Sequence, residues 1–280
     1  TGILRQEAAE AWGMDRVPVV AGGGDNAAGA VGVGVVDEGD ALLSLGTSGV
    51  IFVAGNKFRS NPGSAAHAFC HALPDRWHLM SVMLSAASCL DWACRATGTK
   101  NAETLIEKAE QDGTIAGQEV FLPYLSGERT PHNNPYASGV LFGLTHDTDT
   151  AQIAQAVLEG VAFGMADGLD ALLACGIDIT SISVIGGGSQ SAYWGRILAA
   201  VLKRPLFYRD GASSGPALGA ARLARYSQNP MPYEDAFGAP ATTNVIEPHD
   251  ADMDRLETKR NKFTRLYGAL SDEFTGASNG

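Results

Sequence analysis

Asp25 offers the plainest chemistry in the chain, standing directly after Gly22-Gly23-Gly24 and before Asn26. Glycines let a backbone approach a bound molecule closely, and an aspartate just beyond them can take the proton of an attacking hydroxyl. Phosphoryl transfer asks for such a carboxylate and for little other covalent chemistry from the protein. The same side chain could instead cap the helix that follows it, and one carboxylate can do both. Two further glycine-rich segments suit phosphate and nucleoside. In Ser44-Leu45-Gly46-Thr47-Ser48-Gly49, two glycines and two hydroxyls in a tight turn would aim several N–H groups at one point, a nest for phosphate oxygens. An ordinary hairpin turn has the same composition. In Ile185-Gly186-Gly187-Gly188-Ser189-Gln190, a glycine triplet leaves room for a flat nucleoside, and the helix N-terminus that follows favours negative charge.

Several alternatives fall away on spacing. No G-x-G-x-x-G is followed by a ribose-binding acid, which sets a dinucleotide fold aside, and no G-x-x-x-x-G-K-[ST] is present, which removes a P-loop enzyme. Ser48 lacks the Gly-x-Ser-x-Gly spacing of a hydrolase nucleophile. His67, Cys70, His71 and His78 invite a zinc reading. On one strand, however, His67 and His71 stand ~13 Å apart with Cys70 on the opposite face, so no metal ligand is assigned. The glycine loops carry no lysine, which leaves phosphate to backbone dipoles and an accompanying cation.

These residues need elements to hold them. Helical periodicity over Ile3–Trp12 stops at Gly13, and a short buried strand, Val17–Val20, delivers the chain to Gly22. Ala27–Val36, built of Ala, Gly and Val, predicts a tightly packed helix. Ala41–Leu45 and Val50–Ala54 flank the Gly46–Gly49 turn as a hairpin, and His67–His71 pairs with Trp77–Val82. Helices are expected over Leu84–Thr97 and Ala102–Gln111, a strand over Val120–Leu125, then a polar loop, Ser126–Ser138. A long amphipathic helix covers Thr150–Cys175, opened by an Asp149 or Thr148 cap. Strand Ile182–Ile185, helix Ala192–Leu202, strand Leu206–Tyr208 and the small-residue helix Ser214–Tyr226 continue the alternation. An irregular connector, Phe237–Asp250, leads to a final helix, Met253–Phe274, whose charges read as a solvated face. Trp12, Trp77, Trp92 and Trp194 read as core. Hairpins followed by strand–helix alternation predict an α/β architecture around a mixed sheet, with no linker that divides the chain.

With 280 residues, 45% of them hydrophobic, the chain can bury a large core. A net charge of −11 argues against a nucleic-acid surface. No apolar run approaches the ~18–20 residues of a membrane span, and no secretory signal opens the sequence. Cys70, Cys89, Cys94 and Cys175, without a CxxC pair, read as reduced thiols of a cytoplasmic protein. Opening on Thr1 with a helix under way by Ile3, the chain reads as cut from something longer.

In its most specific stretch the sequence resembles the FGGY family of carbohydrate kinases. From Gly139 to Glu159 it runs Gly-Val-Leu-Phe-Gly-Leu, seven residues, then Gln-Ile-Ala-Gln-Ala-Val-Leu-Glu, which fits the family's second signature at every constrained position. The likeness runs over essentially the whole chain, and Ser126–His132 and Cys70–Pro74 look most like the branch that phosphorylates xylulose. It implies an actin-like (ribonuclease H-like) fold for residues 1–280, the second of two domains that enclose an active-site cleft. Nothing here matches the first domain, which carries another phosphate loop and much of the sugar pocket. By resemblance, Asp25 is the general base and Asn26 a sugar-hydroxyl contact. Gly46, Thr47 and Ser48 face the ATP phosphates, Gly187, Gly188 and Ser189 the adenosine, and Ala87 and Asp91 line the nucleotide pocket. The implied reaction converts ATP and D-xylulose to ADP and D-xylulose 5-phosphate, with Mg²⁺ neutralising phosphate charge. Glycerol, gluconate or ribulose as substrate, or a non-catalytic nucleotide or sugar sensor, are the alternatives. Without its other cleft wall the domain is expected to be inactive alone and free to form a homodimer through the uncovered face.

Overall fold

The computed structural model describes residues 2–275. It opens on a two-stranded pair, β1 (Gly2–Ile3) and β2 (Pro18–Val19), joined through helix α1 (Gln6–Trp12), which ends in a left-handed Gly13. Helix α2 (Asp25–Gly32) leads into the hairpin β3 (Asp40–Leu45) and β4 (Gly49–Gly55), followed by β5 (His67–Cys70) and β6 (Trp77–Met83). Helices α3 (Ser88–Thr97) and α4 (Ala102–Asp112) precede a small hairpin, β7 (Val120–Leu122) with β8 (Val140–Phe142). Then come α5 (Thr150–Leu173), β9 (Ser181–Ile185), α6 (Ala192–Leu202), β10 (Leu206–Arg209), α7 (Gly215–Gln228), α8 (Tyr233–Phe237), β11 (Thr242–Ile246) and α9 (Asp250–Leu270).

Seven strands make one mixed sheet in the order β11-β10-β9-β3-β4-β6-β5. Strand β9 runs parallel to both β3 and β10, and the remaining pairs are antiparallel. The run Gly-Val-Ile-Phe-Val-Ala-Gly of β4 has no polar position, and all of it is buried, as a strand covered on both faces requires. Ile51 and Val53 enter the core shared with α3, α4, α5, α6 and α9, whereas Val50, Phe52 and Ala54 meet α2 on the other face. A true capping box opens α5, with Asp149 accepting from the Ala151 and Gln152 amides and Gln152 Oε1 accepting from the Asp149 amide. On the opposite layer α2 crosses α7 so closely that a Cβ at Gly219 would collide with the Ala28 carbonyl.

Some expectations shift. The segment expected as a buried strand, Val17–Val20, is only Pro18–Val19, and both residues are exposed, because they pair with β1 at the periphery rather than entering the sheet. Trp12, expected in the core, is 69% exposed, since α1 buries Ala9 alone. The helix expected from Leu84 begins at Ser88, because the Ala86 and Ala87 amides bond the Thr47 and Gly46 carbonyls instead. The connector Phe237–Asp250 contains β11, an exposed edge strand whose polar Thr-Thr-Asn start masks the pattern. The terminal helix is not a solvated face: Asp252 and Lys259 are buried, and Asp252 pairs with Arg196 while Arg260 pairs with Asp167 and Asp170.

Candidate active site

Because β3 and β9 are parallel neighbours, the two glycine turns that follow them leave the sheet at the same end, where open α/β sheets bind ligands. The β3–β4 turn is tied to the start of α3. The Thr47 carbonyl accepts from the Ala86 amide at 2.9 Å and the Ser88 hydroxyl at 2.8 Å, and the Gly46 carbonyl accepts from the Ala87 amide at 2.9 Å. These bonds use the carbonyls. Among the described residues, the Thr47 and Ser48 amides and hydroxyls donate no hydrogen bond within the protein, so a rigid turn retains a set of donors.

The second turn sits directly upon the first strand. Gly186, with φ +92, lies where a Cβ would stand 2.6 Å from the Leu45 carbonyl oxygen, and one on Gly188 would meet the Trp194 ring at 2.8 Å and Leu45 at 2.9 Å. Trp194 is fully buried, its indole N–H donating to the Leu158 carbonyl at 3.1 Å. Between this turn and helices α3 and α4 lies a cavity of about 560 Å³, lined by Ala87, Asp91, Ile106, Gly187, Gly188 and Tyr193 among others. Four of the sequence-predicted residues, Ala87, Asp91, Gly187 and Gly188, thus meet at one cavity. Ser189 does not line it; its hydroxyl closes the turn by donating to the Gly186 carbonyl at 2.6 Å. The sequence reading missed Ile106, Tyr193 and the glutamates Glu103, Glu107 and Glu110, which present one face of α4 to the cavity at helical spacing. It also missed Trp194 as the floor of the glycine turn.

Asp25 and Asn26 occupy the other face of the sheet. Ala27 joins the cluster containing Ile185, and a Cβ on Gly29 would contact Ile185 and Leu42, so α2 begins over the same strand ends from which the turns depart. The N-cap of α2 is Gly24, which has no side chain to cap with, and Asp25 is the first residue of the helix. Asp25 Oδ1 accepts from the Asn26 amide at 2.8 Å and from Asn26 Nδ2 at 3.2 Å. Its other oxygen has no hydrogen-bond partner among the described residues, and the side chain is exposed.

The imidazoles that invited a zinc reading are occupied by packing. His71 sits between the Val35 carbonyl, 3.2 Å from Nε2, and the Leu73 amide, which donates to Nδ1 at 3.2 Å, and burial pushes its pKa down to about 4. His78 stacks on Phe52 with centroids 4.2 Å apart and is likewise pushed down to about 4 by burial. Among the described residues, no three His, Cys, Asp or Glu side chains cluster as a metal site, and no helix is long and apolar enough to cross a membrane.

Residues 41–227 match the family model for the C-terminal domain of the FGGY family of carbohydrate kinases. Over 273 residues the chain is 61% identical to the xylulose kinase of Escherichia coli (strain K12), covering 96% of this chain and 56% of that protein. It is 50% identical to the xylulose kinase of Klebsiella pneumoniae, with the same coverage. A crystal structure of a xyloylose kinase from Brucella ovis superposes with a TM-score of 0.91 at 42% identity, over 97% of this chain and 56% of that one. The chain therefore spans little more than half the length of the relatives it matches. With the signature helix, the paired glycine turns and this likeness in agreement, the chain belongs to the FGGY family of carbohydrate kinases, whose C-terminal domain it contains.

Proposed function

We propose that this chain is the nucleotide-binding and base-bearing domain of a kinase that transfers the γ-phosphoryl group of ATP to D-xylulose, giving D-xylulose 5-phosphate. The observation that carries the reading is the convergence of three features on one end of the sheet: Asp25 on one face, the cavity on the other, and the donor-rich turn at the strand ends. The nucleoside lies against Gly187 and Gly188. Among the described residues the cavity is lined by Asp91 and three glutamates and by no lysine or arginine, which suits ribose hydroxyls and an exocyclic amine and turns the phosphates toward Thr47 and Ser48. Asp25 accepts the proton of the attacking sugar hydroxyl as the new O–P bond forms and the bond to the ADP oxygen breaks. Asn26, which already orients Asp25, contacts a sugar hydroxyl. Mg²⁺ carried by the phosphates would supply charge neutralisation, and Asp25 is the residue of this domain that would help to hold it; a cation that keeps most of its ligands as phosphate and water needs no protein cage.

The reading also assigns the rest of the cleft, with much of the sugar pocket, to the additional length that the relatives carry. Ile3, Trp12, Met14, Val17 and Val19 are exposed apolar side chains of the peripheral β1–α1–β2 segment. The 280-residue chain alone is then slow by orders of magnitude and self-associates, which light scattering would reveal; a clean monomer counts against this part.

The deciding experiment is ADP release by the full-length protein with D-xylulose, glycerol, gluconate and L-ribulose, beside Asp25→Asn. D-xylulose is expected to be the preferred acceptor, and the variant to lose about 10²–10⁴-fold in kcat with little change in thermal midpoint, since an asparagine oxygen can still accept the Asn26 amide. Preference for another sugar keeps the mechanism and moves the substrate. Full activity in the variant removes the base assignment.

A further inference from the structure

Behind one wall of the nucleotide cavity runs a chain of buried polar groups. Tyr193 lines the cavity and donates its hydroxyl to Gln155 Oε1 at 2.7 Å. Gln155 Nε2 donates to Glu159 Oε1 at 2.7 Å, and that oxygen also accepts the Ala116 amide at 2.7 Å. The second oxygen of Glu159 pairs with Lys259 of α9. All four side chains are buried, Glu159 completely. The directions are forced. The carboxylate can only accept, so Gln155 must turn its amide nitrogen toward it and its oxygen toward Tyr193, which must then donate.

A buried ion pair is no stronger a source of stability than well-packed apolar residues of the same volume. What a fully satisfied polar chain adds is a single geometry, and this one ends on the ring that walls the cavity. Its far end is anchored on a helix that begins at Asp250, beyond residue 227, where the family model stops. We infer that Gln155 and Glu159 are positioning residues for the nucleotide, held by Lys259, so that the C-terminal helix sets the Tyr193 wall. The inference rests on reading the cavity as the nucleotide site.

The test is steady-state kinetics of the full-length protein with ATP and sugar varied separately. Tyr193→Phe removes only the hydroxyl, and Glu159→Gln combined with Lys259→Met removes both buried charges together. Each is expected to raise KM for ATP on the order of tenfold while leaving kcat within about twofold and KM for the sugar unchanged. Arg260→Met is the control, since it breaks ion pairs from the same helix to Asp167 and Asp170, away from this chain of contacts. It is expected to lower the thermal midpoint without moving KM for ATP. An unmoved KM for ATP in Tyr193→Phe and the double variant overturns the inference, as does an equal rise in Arg260→Met. If the double variant does not fold, Tyr193→Phe decides alone. Equilibrium dialysis of the unmodified protein with ATP separates the two levels: no binding overturns the nucleotide reading together with this one, whereas binding with unmoved kinetics overturns only the positioning role.

Discussion

Glu128 carries a buried carboxylate that the proposed chemistry does not use. Its Oε1 accepts the Leu84 amide at 3.1 Å and the Arg129 amide at 2.7 Å, but Oε2 is buried without a partner among the described residues. Burial, opposed by those two amides, pushes its pKa from the ordinary 4.5 up to about 7. The folded protein therefore holds this proton more tightly than the unfolded chain does. Stability falls as pH rises through the window from 4.5 to 7, by about 3 kcal/mol in all if nothing relaxes. Urea unfolding should find Glu128→Gln more stable than the parent at pH 8, with the gap closing toward pH 5; a gap that ignores pH would mean that the buried charge is not its cause. His71, His78 and His132 act in the other direction. Burial pushes each down to about 4, so their neutral forms stabilise the fold above pH 6.5, and this is lost as pH falls toward 4. At this scale the sequence makes glycine turns visible, since their composition is local. It does not mark Tyr193 or Glu128, whose significance lies in what lies 3 Å away and tens of residues distant.

Among the elements, the contact between α2 and α7 is the most demanding, because backbone meets backbone where Gly219 faces the Ala28 carbonyl. Gly219→Ala must push apart the helix that carries Asp25, and is expected to cost at least about 2 kcal/mol. Gly268, exposed in α9, is the counterpart, since a methyl added there would meet nothing within 4 Å. Gly268→Ala should stabilise by up to about 1 kcal/mol. Urea midpoints of the pair check both signs at once. Helix α6 is legible to the residue over Ala192–Leu202, although its Ser191 cap is seen only in the structure, and α5 is legible from Asp149, one of the two caps expected for it. The start of α3 and the existence of β11 are not legible, because tertiary hydrogen bonds decide the first and an edge strand free of burial on its outer side shows no alternation.

For the molecule as a whole, hairpins followed by alternation are enough to predict a mixed α/β sheet, and the unbroken apolar run of β4 agrees with its central place. Strand order is not readable. Nothing local tells β9 to lie beside β3, where Ser181 reaches Asp40 across 141 residues. That pairing has a kinetic consequence. The hairpin β3–β4 and its donor turn can form early from local contacts, but the second glycine turn joins them only after the long crossover through α5 has closed. On a ribosome the first turn emerges long before its partner, and the nucleotide site proposed above exists in no intermediate that lacks β9. ATP should therefore slow unfolding, by binding the finished native state, and leave the refolding rate unchanged. Stopped-flow chevrons with and without nucleotide would show the unfolding arm shift alone.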